Sequence, residues 1–222
     1  AEGVYVFPLP EDSAVDQLRM YIDDRVIEGQ IHEKKAAKII YETAKKEGKS
    51  ASLVEQQRPN IFTTSVANIA PGGTITIAIE YQQAVLIDNN TYSIRFPMVV
   101  GDRYIPGTMV ATPNNTLGVV PNTHQVNDAS KITPPSDRRA NLPITIDINL
   151  KAGFEVESLD SSYHKIVVNQ SDELTKQISL DKNYQADRDF ELTWSADKSL
   201  SPELALFTQR KDDHYYLMLM AT

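Results

Sequence analysis

One segment of the chain carries a strong helical pattern of hydrophobic and polar residues. Between Glu33 and Lys46, apolar side chains recur on one face, over an arc of about 140° at roughly 100° per residue. Lysines and Glu42 occupy the opposite face, and Gly48 can take the left-handed conformation that ends a helix. The pattern therefore predicts one amphipathic helix at about residues 33–47. Its predicted buried face consists of Ala36, Ile40, Tyr41 and Ala44.

Elsewhere the chain shows the two-residue alternation of half-buried β-strands. In the first half the alternation is clear at 18–22 and 75–81, and a turn at 88–90 leads into a third stretch at 91–96. In the second half it recurs at 144–150 and 190–194, with Gly, Asn, Asp and Ser between the apolar runs. Short strands at this spacing are typical of β-sandwiches.

The composition changes between residues 108 and 143. Prolines fall there among Asn, Thr, Ser and Asp with no sustained period, which predicts a long loop or linker. The predicted fold is therefore mainly β, with two consecutive sandwich-like modules. The first, 1–107, carries the inserted helix, and the second is 144–222.

Charge and cysteine content exclude several classes of function. The net charge is −8, with no basic run outside the helix, which argues against a nucleic-acid partner. The absence of cysteine excludes disulfides, thiolate metal sites and cysteine nucleophiles. No run of 18 apolar residues occurs, so the sequence predicts no membrane span.

Motifs that carry catalysis or bind metals are incomplete in this sequence. His32 and Glu33 begin like a zinc-protease HExxH motif, but Ala36 stands where the second histidine is required. Asp160–Ser162 begins like the DxSxS motif of von Willebrand type A domains, but His164 replaces the second serine. No GxSxG nucleophile turn occurs. We therefore expect no catalytic, cofactor-binding or metal-binding residue, and a protein that is not an enzyme.

Two polar triplets are candidates for a recognition surface or for a structural clasp between strands. Arg58 and Arg103 could pair with carboxylates such as Glu55 or Asp102, and Asn60 could cap a turn. The functional interpretation is a recognition surface, and the structural one, which we favour, is a buried polar clasp between strands. The candidate residues are Arg58, Pro59, Asn60, Asp102, Arg103 and Tyr104.

Three segments in the first half of the chain resemble a known family. The segments are EGVYVFPLPEDSAVDQL, RVIEGQIHEKKAAKIIYETAKKEGKSASLVEQQRPNIFTTSVANIAPGG and YSIRFPMVVGDRYIPG. They resemble the VIT domain, the module of vault protein and inter-alpha-trypsin inhibitor heavy chains, over about residues 2–107. After residue 143, the segments DFELTW, LALF and HYYLMLM resemble the β-rich stretch that joins a VIT domain to a von Willebrand type A domain.

The resemblance implies a non-catalytic adhesion or scaffold module that presents an adjacent von Willebrand A domain. The sequence resembles bacterial cell-surface members of the family, which implies an exported or surface-bound protein with a protein or matrix ligand. Two alternatives remain open. One is a hydrolase-associated or protease-inhibitor-like subunit with a site in 108–143. The other is an intracellular particle component, as the vault relative suggests.

The two ends of the sequence predict self-association. In the family, at least one strand precedes EGVYVFPLP, so we expect a piece of a longer polypeptide whose first module has an open strand edge. Residues 215–220 are apolar at consecutive positions, which requires cover on both faces of a strand. Open edges and uncovered apolar strands both favour association between copies.

Overall fold

The computed structural model describes residues 1–100, 104–110, 120–133, 143–172, 174–196 and 204–221. The chain forms two compact units. The first contains 1–84 and 99–139, and the second contains 85–98 and 140–222. The mainly β fold predicted from the hydrophobic pattern is confirmed, and every strand pair is antiparallel within the described residues.

The first unit contains six strands and two helices among its described residues. Its elements are β1 (Gly3–Pro8), β2 (Ala14–Ile22), β3 (Arg25–Glu28), α1 (Lys34–Lys46), β4 (Ala51–Arg58), β5 (Ile61–Ala67), β6 (Ile75–Gln82) and α2 (Ala129–Ile132).

Two three-stranded sheets form the body of this unit, in the orders β1-β5-β4 and β3-β2-β6. Met20 and Ile22 on β2 pack with Val66 on β5, so the two sheets share one apolar core. On its other side, the β1-β5-β4 sheet is covered by α1, where Tyr41 packs with Leu53.

Helix α1 has the predicted bounds within one residue at each end, and three of the four side chains predicted to pack inward do so. Tyr41 is 4% exposed, and Ala36 and Ala44 are half-buried, whereas Ile40 is 53% exposed. The prediction that Ile40 packs inward was therefore wrong. Lys34 and Lys45 flank the Tyr41 side and form hydrogen bonds there, Lys34 with β4 and Lys45 with the N-terminal segment.

The end of α1 follows the expected chemistry. Gly48 has φ +74°, in the left-handed region that glycine adopts without strain. Asn68 then donates its side-chain amide to the carbonyls of Lys45 and Lys49, at 3.0 and 2.9 Å. These bonds satisfy carbonyls that have no partner within the helix, and they tie its C-terminus to the end of β5.

The second unit is built from strands alone among its described residues. They are β7 (Leu86–Asp88), β8 (Thr91–Phe96), β9 (Pro143–Ile144), β10 (Asp147–Lys151), β11 (Val156–Asp160), β12 (Ile166–Gln170), β13 (Thr175–Leu180), β14 (Tyr184–Gln185), β15 (Phe190–Ala196), β16 (Leu204–Lys211) and β17 (His214–Ala221).

A four-stranded sheet, β11-β15-β8-β7, and a three-stranded sheet, β10-β13-β12, enclose the core of the second unit. Trp194 on β15 stacks on Tyr92 of β8 with ring centroids 5.8 Å apart, and Tyr92 also contacts Phe154 at 5.2 Å. Leu192 is fully buried among them. These aromatic contacts place β8 in the second unit.

The two units divide the chain differently from the predicted modules. Residues 85–98 were expected in the first module, yet β8 pairs with β15 over its whole length. The predicted linker at 108–143 also contains ordered structure. Within it, Met109 forms a bridge with Thr123, and residues 129–132 form the short helix α2. Hydrogen bonds from the Thr123 side chain explain this order, because its hydroxyl donates to the Pro106 carbonyl and accepts from the Val126 amide.

Candidate functional site

Arg58 lies at the end of β4, where the strand bulges before turning into β5. Its guanidinium holds the Asp128 carboxylate with two parallel hydrogen bonds, of 2.7 Å from Nη1 and 2.8 Å from Nη2. Nη1 also donates to the Gln57 carbonyl at 2.6 Å. This two-pronged geometry is the strong and directional form of an arginine–carboxylate pair. It joins the β4–β5 hairpin to the segment that carries α2.

The surroundings of the pair favour its charged form. Hydrogen bonding to Asp128 raises the pKa of Arg58, and partial burial opposes this effect only in part. Asp128 immediately precedes α2 but provides no side-chain capping hydrogen bond to that helix. Its carboxylate instead faces Arg58. Ala129 and Ile132, on either side of the same helix turn, are buried.

The other predicted site residues have separate roles. Pro59 is exposed, and its carbonyl accepts a 3.2 Å hydrogen bond from the Gln56 side chain. Asn60 accepts the Leu9 amide through its backbone carbonyl at 3.3 Å, which ties the turn to the end of β1. Tyr104 is 90% exposed. The predictions for Asp102 and Arg103 fall on residues outside the described ones.

The partner of Arg58 was not found from the sequence. The expected carboxylates were Glu55 and Asp102, and the structure uses Asp128, 70 residues away. One signal was present, because an aspartate directly before Ala129–Ile132 is a common start of a helix. The geometry is that of a structural clasp, and a role of these residues in recognition stays a prediction.

A second candidate is the hairpin formed by β16 and β17. The strands pair over eight residues each, around a turn at Asp212 and Asp213. No other described strand pairs with either of them. A two-stranded hairpin is marginally stable in water without a covered apolar face. Its apolar side chains therefore need a partner surface.

Both faces of this hairpin carry exposed side chains, since Tyr216 and Met218, on the same face as Met220, are 55% and 57% exposed. On the inner face, Met220 packs against the core of the second unit, and the Tyr92 hydroxyl lies 3.9 Å from its sulfur. The outer face carries large side chains that are 62–72% exposed. They are Leu206, Tyr215, Leu217 and Leu219. A row of leucines this exposed marks an interaction surface rather than a core.

His164 is a buried imidazole in the second unit. It is 2% exposed, and both ring nitrogens lack a hydrogen-bond partner. Its ring meets Tyr184 edge-on at 4.9 Å between centroids and tilts over Phe190 at 5.7 Å. Burial lowers the pKa of His164, while Asp187 raises it and Arg188 lowers it. The site holds a neutral ring at pH 7.

Two observations concern metals and membranes. In the part of the chain that the structure describes, no three His, Asp or Glu side chains converge as a metal site would require. Neither described helix is long and apolar enough to cross a membrane.

Comparison with known proteins identifies the first part of the chain. Residues 1–81 match the family model of the vault protein inter-alpha-trypsin (VIT) domain. The match ends close to residue 84, where the first continuous segment of the first unit ends.

Proteins named for a von Willebrand factor A domain match this chain over most of its length. Von Willebrand factor A domain-containing protein 5A of Mus musculus is 27% identical over 209 residues, which is 92% of this chain and 25% of that protein. Its Homo sapiens counterpart is 26% identical over 210 residues, with the same shares. The chain thus spans about a quarter of the length of these relatives.

A second relative matches about half of the chain. Protein mono-ADP-ribosyltransferase PARP4 of Mus musculus is 34% identical over 108 residues, which is 49% of this chain but 5% of that protein. Residues 1–81 thus carry a match to the VIT domain family, and the relatives that cover 92% of the chain are named for a von Willebrand factor A domain.

Proposed function

We propose that this chain is a non-catalytic scaffold that packs against an adjacent von Willebrand A domain and presents that domain to a ligand. The observation that carries the proposal is the β16–β17 hairpin, whose outer face exposes Leu206, Leu217 and Leu219. On the opposite face only Met220 packs against the core of the second unit. The outer face carries the more exposed leucines, and we assign it to the neighbouring domain.

The relatives support the choice of neighbour. The relatives that match this chain over 92% of its length are named for von Willebrand A domains, and the matched region is about a quarter of each. An apolar face built from leucines suits a permanent contact within one polypeptide better than a transient contact, because obligate interfaces are more hydrophobic than transient ones.

The test compares hydrogen exchange in the chain alone with exchange in a longer chain in which a von Willebrand A domain follows residue 222. We expect exchange of the amides of 204–221 to slow by about tenfold or more in the longer chain, because a covered hairpin opens less often. Leu217→Asn in the longer chain should restore fast exchange. Leu174→Asn is the matched control, since Leu174 is exposed in the same unit but away from the hairpin. Equal exchange of the hairpin in both chains would contradict the proposal.

We further propose an exported or cell-surface location, with a protein or matrix component as the ligand. The resemblance of the first half to bacterial surface forms supports this location. A signal peptide in the upstream gene sequence, and digestion of the protein by protease added to intact cells, are the expected results. Protection from protease in intact cells would instead favour an intracellular particle component.

A non-catalytic role carries its own expectation. The described residues lack a converging metal-ligand set, so treatment with EDTA should leave the melting temperature unchanged. A hydrolase screen of the chain with and without residues 108–143 should show no activity in either. Activity that disappears with that segment would establish the hydrolase-associated alternative.

A further inference from the structure

The outer face of helix α1 combines exposed isoleucines with lysines. Ile39 is 67% exposed on the side of the helix opposite Tyr41, and Ile40 is 53% exposed on one flank, about 100° around the helix from Tyr41. Lys35 and Lys46 are exposed beside Ile39, and Lys38 is exposed on the other flank. We call these five residues the outer face of α1. Two adjacent exposed isoleucines are unusual on a protein surface, because burying an isoleucine side chain is favourable.

The contacts of the helix keep this face outward. Tyr41 donates its hydroxyl to Glu2 at 3.0 Å, and Lys45 forms a 2.8 Å ion pair with the same carboxylate. Near the other end, Lys34 donates to the Gln56 carbonyl at 3.1 Å. With Tyr41 buried beneath, the helix cannot roll to hide its isoleucines without breaking these bonds. The outer face is therefore a rigid surface, which lowers the entropic cost of binding.

The charges of the helix select the partner. Five lysines and one glutamate fall within Lys34–Lys46, in a chain whose net charge is −8. Lys34 and Lys45 are used in the contacts just described. Lys35, Lys38 and Lys46 form no ion pair within the described residues. Glu42 lies between Lys38 and Lys46 on this face, and three lysines against one glutamate leave the outer face with a net positive charge on an acidic protein.

We propose that the outer face of α1 binds an acidic segment of a partner protein, with apolar side chains at helical spacing and Asp or Glu around them. Ile39 and Ile40 would take the apolar side chains, and the three free lysines would meet the carboxylates. Complementary charge and an apolar centre match the way amphipathic helices dock on exposed surfaces. This surface lies in the first unit, so it is separate from the hairpin on which the proposed domain contact rests.

A protein partner fits better than a membrane. Helices that lie in a membrane surface bury a full apolar face into the lipid. Here the larger apolar side chain, Tyr41, faces the sheet, and only two isoleucines remain outside. Vesicles therefore form one arm of the test.

The test uses a fluorescent synthetic peptide of about 18 residues, five helical turns, with leucine on one face and glutamate elsewhere. A scrambled peptide of the same composition reports on charge alone, and vesicles of phosphatidylglycerol and phosphatidylcholine report on lipid. Anisotropy of the peptide with the full chain gives the affinity, and amide chemical shifts locate the contact. We expect binding that shifts residues 35–46, is at least fivefold weaker for the scrambled peptide and weakens with salt.

Variants then separate the outer face from general charge effects. Ile39→Gln should weaken peptide binding about tenfold or more, whereas Ile87→Gln, at an exposed isoleucine on β7, should not. Lys35→Gln should weaken binding, whereas Lys151→Gln in the second unit should not. Equal affinity for both peptides, equal affinity of Ile39→Gln and Ile87→Gln, or binding to vesicles without binding to the peptide would overturn the proposal.

Discussion

At the scale of single residues, the Arg58–Asp128 pair explains how a segment rich in prolines becomes part of the first unit. Arg58 belongs to a strand that the hydrophobic pattern predicts, and Asp128 belongs to a stretch that the same pattern assigns to a linker. An ion pair across 70 residues leaves no periodic trace in the sequence, because neither residue needs a regular neighbour. Arg58 could be singled out in advance and its partner could not.

The pair should couple measurably in stability. Arg58→Ala and Asp128→Ala should each lower the free energy of unfolding by about 1 kcal/mol, and the double variant should cost less than their sum, because each single variant removes the same interaction. Partial exposure of both side chains keeps the value below that of a buried pair. Urea unfolding of the four proteins gives the coupling, and strictly additive losses would show that the two groups act independently.

His164 makes the stability of the second unit depend on pH. Burial lowers its pKa below the ordinary 6.5 of the unfolded chain. Above pH 6.5 the ring is neutral in both states and has no effect. As the pH falls below 6.5, this histidine binds a proton in the unfolded chain but stays neutral in the folded one. The free energy of unfolding therefore declines.

Replacing this histidine should flatten the pH profile. We expect the melting temperature of the wild type to drop by a few degrees between pH 7.5 and pH 5, and the drop to be smaller in His164→Phe, which keeps the ring contacts with Tyr184 and Phe190. His32→Gln is the control, because His32 is exposed. Parallel profiles for wild type and His164→Phe would assign the pH response to other groups.

At the scale of elements, the bounds of α1 follow from local sequence and its orientation does not. Hydrophobic spacing and Gly48 define where the helix runs. Which side it buries depends on Glu2, which lies far away in sequence and holds Tyr41 and Lys45. A helix with apolar residues over a broad arc has two nearly equivalent ways to pack, and a distant carboxylate decides between them.

The exposure of Ile40 lowers the expected cost of replacing it. Tyr41→Ala should cost about 3 kcal/mol or more, since it empties a buried aromatic position and removes the hydrogen bond to Glu2. Ile40→Asp should cost under about 1 kcal/mol, because the side chain is exposed. Lys38→Asp, at another exposed position, should behave similarly. Thermal melts rank the three, and a larger loss for Ile40→Asp than for Tyr41→Ala would restore the original prediction.

For the whole molecule, strand alternation predicts a mainly β protein, yet it cannot assign strands to units. The local sequence of 91–96 indicates a strand that continues the hairpin before it. No local pattern indicates its pairing with 190–195. Tyr92 and Trp194 are the residues that join them. Aromatic partners about a hundred residues apart become visible only when the chain is folded.

Association between copies is expected at high concentration. Among the described strands, β1 pairs on one side only, and the outer face of the hairpin is apolar. Light scattering up to about millimolar concentration should show a rising mass, and a chain that begins roughly 30 residues earlier, about the length of a hairpin and its turns, should associate less. Leu217→Asn separates the routes, since it weakens association through the hairpin but leaves β1 unaffected. A strictly monomeric protein at that concentration would contradict the prediction.

The pairing of β8 with β15 has a consequence for how the protein is made. Residues 91–96 leave the ribosome about a hundred residues before the strand that completes their sheet. At the usual pace of synthesis this is a delay of about 5 to 20 s. Throughout that time Tyr92 and Ile94 remain without the strand β15 that completes their core, and other apolar segments can pair with the nascent strand. Slowing translation between residues 100 and 190 should therefore lower the yield of folded protein, whereas a pause after residue 196 should do no harm.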